Sequence, residues 1–142
     1  VRPFNLVAHD LPATSALGNG RRQLLATTGP VREVVCGRTD VKRDFVTADD
    51  VARDLARLVC DPPADTLLNL CSGTGTALGA VIDGLAAALG VAVELTIDPV
   101  LAALPAPGSV VGDPARLEAL GVRLDGSVQC LVEALLQAPR TV

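Results

Sequence analysis

Residues 69–98, NLCSGTGTALGAVIDGLAAALGVAVELTID, decide how the chain is to be read. An apolar run from Leu67 to Leu70 leads into Gly73-x-Gly75-x-x-x-Gly79, then an amphipathic stretch, then a second apolar run ending on Asp98. Strand, glycine turn, helix and strand with a terminal acid is the order of a dinucleotide-binding unit, whose glycines let the backbone approach a pyrophosphate at a helix N-terminus. Such a unit opens its sheet and needs several strand-helix repeats behind it, whereas the sequence from Leu67 onward supplies only a few short strands. Glycines at a strand-to-helix turn also serve structure alone, by tolerating positive φ and close backbone approach. The rest of the chain has to decide.

With 142 residues, 49% of them hydrophobic, the chain is the size of one domain with material for a core. No apolar run approaches the roughly 20 residues of a membrane span, and VRPFNLVAHD lacks the layout of a signal peptide, so the reading is soluble and cytoplasmic, with no membrane partner. A net charge of −4, from 12 Lys and Arg scattered among 16 Asp and Glu, forms no basic stripe; with two Phe and no Tyr or Trp there is almost nothing for bases to stack on. Nucleic acid is not an expected partner.

Cysteines 36, 60, 71 and 130 form no C-x-x-C pair and His9 is the only histidine, so spacing gives no metal site; four reduced, mostly buried thiols are expected. Without tyrosine the chain carries no tyrosine acid or base, and nucleophile-histidine pairing is limited to His9, read as a solvated imidazole in a loop. No catalytic residue is assigned.

Along the chain, VRPFNLV reads as a strand already under way, which implies further structure upstream. A helix over SALGNGRRQLLATTG places Leu17, Leu24 and Leu25 inward; REVVCG and RDFVT are strands. Thr47 or Asp49 caps the next helix, with Val51, Leu55, Leu58 and Val59 on its apolar face. A strand from about Leu67, the glycine turn, a helix over Thr76 to Leu89 closed by Gly90, and a strand from Val91 to Ile97 follow. A short helical turn in DPVLAALPAPG, a brief strand and capped helix in SVVGDPARLEALG with Pro114 in the first turn, and a helix over Ser127 to Gln137 complete an α/β alternation.

Four segments in order, VRPFN, VKRDFVTADDVARDLARLV, LLNLCSGTGTALGAVIDGLAAALG and VVGDPARLEALGV, resemble the C-terminal half of the extended short-chain dehydrogenase/reductases, the NAD-dependent epimerases and dehydratases of nucleotide sugars, GDP-mannose 4,6-dehydratase-like members above all. The resemblance implies an α/β fold in which residues 1–142 are the substrate-binding part with late strands of a Rossmann-type sheet, most of the Rossmann half being absent. It also implies that NLCSGTG is a late strand and turn and not the cofactor loop, which with the catalytic Tyr-x-x-x-Lys pair belongs to the absent N-terminal half. The full-length enzyme would use NAD or NADP to oxidise a hydroxyl of the sugar; this chain alone would bind no cofactor and be inactive, with the absent half or a dimer partner completing it.

By the same resemblance Asn5 contacts the nucleotide sugar, where its amide offers a donor and an acceptor; a strand-end cap is the plainer alternative. Arg43 grips the diphosphate with its planar fork, against a surface pairing with Asp40 or Asp44. Pro3 and Phe4 match residues packed near the nicotinamide, though an apolar pair in a strand is also ordinary core. Asp50 caps the following helix. Two departures stand out: VAHDLP replaces a Gly-Pro-Gly-like turn after Asn5, and Ala103 stands where a second phosphate-binding arginine is expected. Two other readings stay open: a non-catalytic remnant that binds a partner chain or a nucleotide sugar, and a small NAD-binding module built on Gly73 to Asp98.

Overall fold

The computed structural model describes residues 1–63 and 67–138. The opening strand is real but broken at Phe4: β1 (Arg2–Pro3) pairs in parallel with β5 (Asn69–Leu70), and β2 (Asn5–Val7) pairs in parallel with β4 (Lys42–Thr47). Its two halves therefore belong to different sheets. β4 also takes β6 (Gly75–Ala77) antiparallel and β8 (Ser109–Val110) parallel, both over its N-terminal half. A third sheet pairs β3 (Val31–Cys36) with β7 (Ala92–Ile97), parallel and in register from Val31 opposite Ala92 to Cys36 opposite Ile97.

The helices are α1 (Ala16–Ala26), α2 (Ala48–Cys60), α3 (Leu78–Ala88), α4 (Pro99–Ala102), α5 (Ala115–Glu118) and α6 (Val128–Leu136). Their starts follow local chemistry. Ser15 and Ser127 accept the backbone N–H groups of Gly18 and Cys130, which satisfies donors that have no partner inside the helix. Thr47 does the same for Asp50 N–H at 3.1 Å while donating its hydroxyl to the Asp50 carboxylate at 2.7 Å. Asp50 is thus not the cap; it steadies the cap and pairs with Arg53 at 2.6 Å. Gly90 closes the third helix at φ 69°, a left-handed conformation that glycine enters without a side-chain clash.

Strand alternation makes β4 the wall between two cores. Phe45 faces the larger, built from α1, α3, α6 and the β3–β7 sheet around Leu24, Val34, Ile82 and Leu131; Val46 faces the smaller, with Val51, Leu70, Leu117 and Val122. The helical periodicity holds for Leu17, Leu24, Val51, Leu131 and Leu135, but Leu25 is 46% exposed and Val59 71%, so the apolar faces are narrower than their leucine and valine content implied. The thiols are free, with Cys36 and Cys71 buried; Cys60 is exposed and Cys130 half-buried, so burial is not general.

Candidate functional site

The alternation that splits the cores also sets the site. Arg43 and Phe45 project from β4 to one side, Asp44 and Val46 to the other. On the Arg43 side lies a cleft of ≈ 400 Å³ whose lining includes Asn5, Leu11, Val41, Arg43, Phe45 and Leu78. Asn5 and Arg43 are brought together because Asn5 stands opposite Phe45 in the β2–β4 register, one position from Arg43 on the same strand face. Asn5 Nδ2 donates to the Asp44 carbonyl at 2.9 Å, which fixes the amide and leaves Oδ1 without a partner among the described residues. Arg43 Nη1 donates to the carbonyls of Lys42, at 2.8 Å, and Pro107, at 2.9 Å. Neither pairing of Arg43 with Asp40 or Asp44 occurs: Asp40 holds Arg38 at 2.8 Å, and Asp44 is fully buried on the far side of the strand. Arg43 Nε and Nη2 remain as donors with no partner among the described residues, half of a guanidinium fork anchored by its other half.

A second cavity of ≈ 430 Å³ shares Ser15, Ala16, Val41 and Leu78 with the first and continues past Gly37 and Arg38 to Leu101 and Leu104. The two make one groove with an arginine towards each end.

Asp44 explains the glycine turn. Its Oδ1 accepts from Ser72 N–H at 2.9 Å and the Ser72 hydroxyl at 2.8 Å, and its Oδ2 accepts from Gly73 N–H at 2.9 Å and Gly112 N–H at 3.1 Å. The backbone donors that could cradle a phosphate already enclose an internal carboxylate. At the start of α3, Leu78 N–H donates to the Val41 carbonyl at 3.2 Å and Gly79 N–H to that of Thr39 at 3.0 Å. Asp98 accepts from Val100 N–H at 2.7 Å and Leu101 N–H at 3.3 Å, capping α4. Neither end of the glycine-to-acid motif fits a dinucleotide, and the reading of Gly73 to Asp98 as a cofactor module gives way to a structural one. Gly73 is needed for its φ of 75° and because a Cβ there would stand 2.9 Å from Pro114 Cγ. Asp44 was missed from the sequence, where the signal was an acid inside an otherwise apolar strand, KRDFVT.

Pro3 is exposed on β1, and Phe4 is half-buried with its ring against Gly112, where any side chain would collide with it. Ala103 is exposed at the end of α4. His9 is half-buried, not fully solvated, and lines a separate cleft of ≈ 230 Å³ with Asp49, Asp50, Arg53, Cys130 and Glu133. Burial first, then the charges of Asp125, Asp50 and Glu133, push the Cys130 thiol upward, which disfavours the thiolate. Among the described residues no group of His, Cys, Asp and Glu is arranged to hold a metal ion, and no helix is long and apolar enough to cross a membrane.

No protein-family profile matches the sequence, and no curated protein matches it. Solved structures do. The chain is similar to RMD from Pseudomonas aeruginosa, solved with NADPH, at 27% identity and a TM-score of 0.78, over 95% of this chain and 45% of that one. It is also similar to UDP-glucose 4-epimerase from Bifidobacterium longum, in complex with NAD+ and UDP, at 19% identity and a TM-score of 0.72, over 95% and 45%. The dTDP-glucose 4,6-dehydratase from Bacillus anthracis, in complex with NAD, aligns at 12% identity and a TM-score of 0.72, over 94% and 42%. The neighbours are NAD-dependent epimerases and dehydratases of nucleotide sugars and their structural kin. The α/β fold found here is part of their Rossmann-type architecture, and the chain spans less than half of their length.

Proposed function

We propose that the chain is the substrate-binding portion, residues 1–142, of an NAD(P)-dependent nucleotide-sugar epimerase or dehydratase, and that it supplies the nucleotide-sugar site without turning it over alone. The observation that carries this reading is the convergence of Asn5 and Arg43 on one cleft, each fixed through part of its polar group and free through the rest. In this reading the free Nε and Nη2 of Arg43 take diphosphate oxygens, for which a planar fork is suited. Asn5 Oδ1, an acceptor, takes a hydroxyl of the sugar. The likeness to enzymes solved with UDP and NAD supports the same assignment.

In the same reading the cofactor is held mainly by residues outside this chain: Asp44 closes the glycine turn, and Pro3 and Phe4, an exposed proline and a half-buried ring, would wall the nicotinamide. In a complete enzyme NAD or NADP would supply hydride transfer; this chain's residues bind and orient the sugar nucleotide. A GDP-mannose 4,6-dehydratase-like specificity and a cytoplasmic location belong to the same proposal.

Titration of the chain with inorganic pyrophosphate and UDP, followed by amide NMR, tests the site. Arg43→Ala should weaken both by roughly ten- to a hundredfold, the loss of a charge-assisted pair. Unchanged affinity would return Arg43 to a structural tie between β4 and Pro107.

A further inference from the structure

Strand β7 has an edge that no other strand fills. In its parallel ladder with β3 the even-numbered residues face the partner: Ala92 N–H donates to the Pro30 carbonyl and Asp98 N–H to the Cys36 carbonyl, each at 2.8 Å. The N–H and carbonyl groups of Val93, Leu95 and Ile97 therefore point the other way, and none of them has a partner among the described residues. On the far edge of β3 the Gln23 amide fills both groups of the outward residue Val35. The sheet is thus stopped at one edge and open at the other, and an open edge is a template for another strand.

We propose that this edge pairs with β7 of a second copy of the chain, antiparallel and about a two-fold axis, to give a four-stranded sheet ordered β3–β7–β7–β3. A two-fold pairing of the outward groups allows few registers, and the chain's own chemistry separates them. Centred on Val93 or Glu94, the pairing calls on Val91, whose N–H is already given to the Ala86 carbonyl at 3.0 Å. The Glu94 centre also sets that carboxylate opposite its own copy in a non-hydrogen-bonded pair, where side chains stand closest. Centred on Thr96 or Ile97, it sets an outward residue of β7 against Pro99, which has no N–H to give. Centred on Leu95, it joins Val93 to Ile97, Leu95 to Leu95 and Ile97 to Val93, so every outward group of both strands is paired. Glu94 then lies beside Thr96, a hydroxyl able to donate to it, and exposed Ile97 is covered by half-buried Val93. Gln23 stands at both outer edges of the combined sheet, so the assembly ends at two chains. The inference does not rest on the nucleotide-sugar reading.

Sedimentation velocity of the 142-residue chain, with amide exchange by NMR at the same concentrations, tests the pairing. So short an edge makes a small interface, and a dimer is expected at about 1 mM and a monomer at about 10 μM. Exchange at Val93, Leu95 and Ile97 should slow about fivefold over that range, while Glu94 and Thr96, already bonded to β3, should not change. Thr96→Lys, which sets an ammonium beside Glu94 of the second copy, should tighten the dimer by roughly three- to tenfold, and Thr96→Glu should loosen it by a similar factor. Ile97→Pro removes an N–H that has no partner within the chain and should abolish the dimer with the far-UV spectrum of the fold retained. A monomer at every concentration, protection of Val93, Leu95 and Ile97 that is independent of concentration, or a dimer indifferent to Thr96→Glu and Thr96→Lys overturns the proposal. Assembly of the unaltered chain past the dimer overturns the two-fold pairing as well. None of these outcomes alters the reading of the groove at Asn5 and Arg43.

Discussion

Asp44 is the residue on which the local architecture turns. A buried carboxylate costs several kcal/mol to desolvate unless its lone pairs are filled, and here four donors from two segments fill them. Asp44→Asn keeps the shape but turns one end of the group into a donor facing N–H groups. It should lower unfolding free energy by about 3 kcal/mol, read from urea denaturation. A loss under about 1 kcal/mol would mean that water enters the turn and replaces the carboxylate. The same charge acts on its neighbour: burial first, then Asp44, pushes the Cys71 thiol up to about 11. Because this raised value favours the protonated thiol in the fold, its stabilisation is complete below the unfolded thiol value near pH 9 and is lost as pH rises towards 11. At pH 8, exposed Cys60 should therefore react first with a disulfide reagent, while Cys36 and Cys71 react only at the rate of unfolding. Fast reaction of all four thiols would contradict the buried placements.

At the scale of elements, strand β3 shows how a two-stranded sheet is kept from growing. Its outer edge would present unpaired backbone groups, a template for another strand. Gln23 of α1 fills part of it: Nε2 donates to the Val35 carbonyl at 2.9 Å and Oε1 accepts Val35 N–H at 2.9 Å, so the amide acts as one residue of a third strand. Gln23→Ala should speed hydrogen exchange at Val35 by about an order of magnitude, the loss of a hydrogen bond of roughly 1 kcal/mol, and raise self-association in sedimentation at high concentration. Unchanged exchange at Val35 would show that the edge is protected by something other than this amide. The helices, strands and their order along the chain were legible because period 3.6 and period 2 differ plainly in segments such as VARDLARL and VREVVC. What was not legible was β6: GTA was read as part of the turn and helix, and it becomes a strand only because β4 lies antiparallel beside it. The exposure of Leu25 and Val59 has the same origin. Periodicity gives an apolar direction, but the neighbour that covers each turn is set by packing.

For the whole molecule, the weak point is the pair β1 and β5. Each has two residues; Val1 beside them is 56% exposed, Leu67 45% and Leu6 41%. A two-stranded ribbon of this length has little stability of its own. The amides of Arg2 and of residues 68–70 should exchange far faster than those of Leu24, Ile82 and Leu131 in the larger core, as measured by mass spectrometry or NMR. Equal protection would mean that this ribbon is covered in solution. The structural neighbours align over less than half of their length, and a further part of such an architecture laid on this ribbon would bury these side chains and slow the same amides.

The sequence alone determined the α/β alternation, Thr47 as one of two candidate caps for α2, the close of α3 at Gly90 and the two polar residues, Asn5 and Arg43, that share the groove, whereas the caps at Ser15 and Ser127 came from the structure. These are local: a hydroxyl three residues ahead of an N–H, a glycine at positive φ and an apolar period act over a turn or a strand. Only the tertiary structure decided what the glycine turn is for. GTGTALG can hold a phosphate or close around a side chain, and the choice depends on whether the facing strand brings a carboxylate into its ring of N–H groups. Asp44, contributed by a distant strand, does so; its buried charge takes the donors a ligand would need, because a hydrogen already bound to one anion is not free for another.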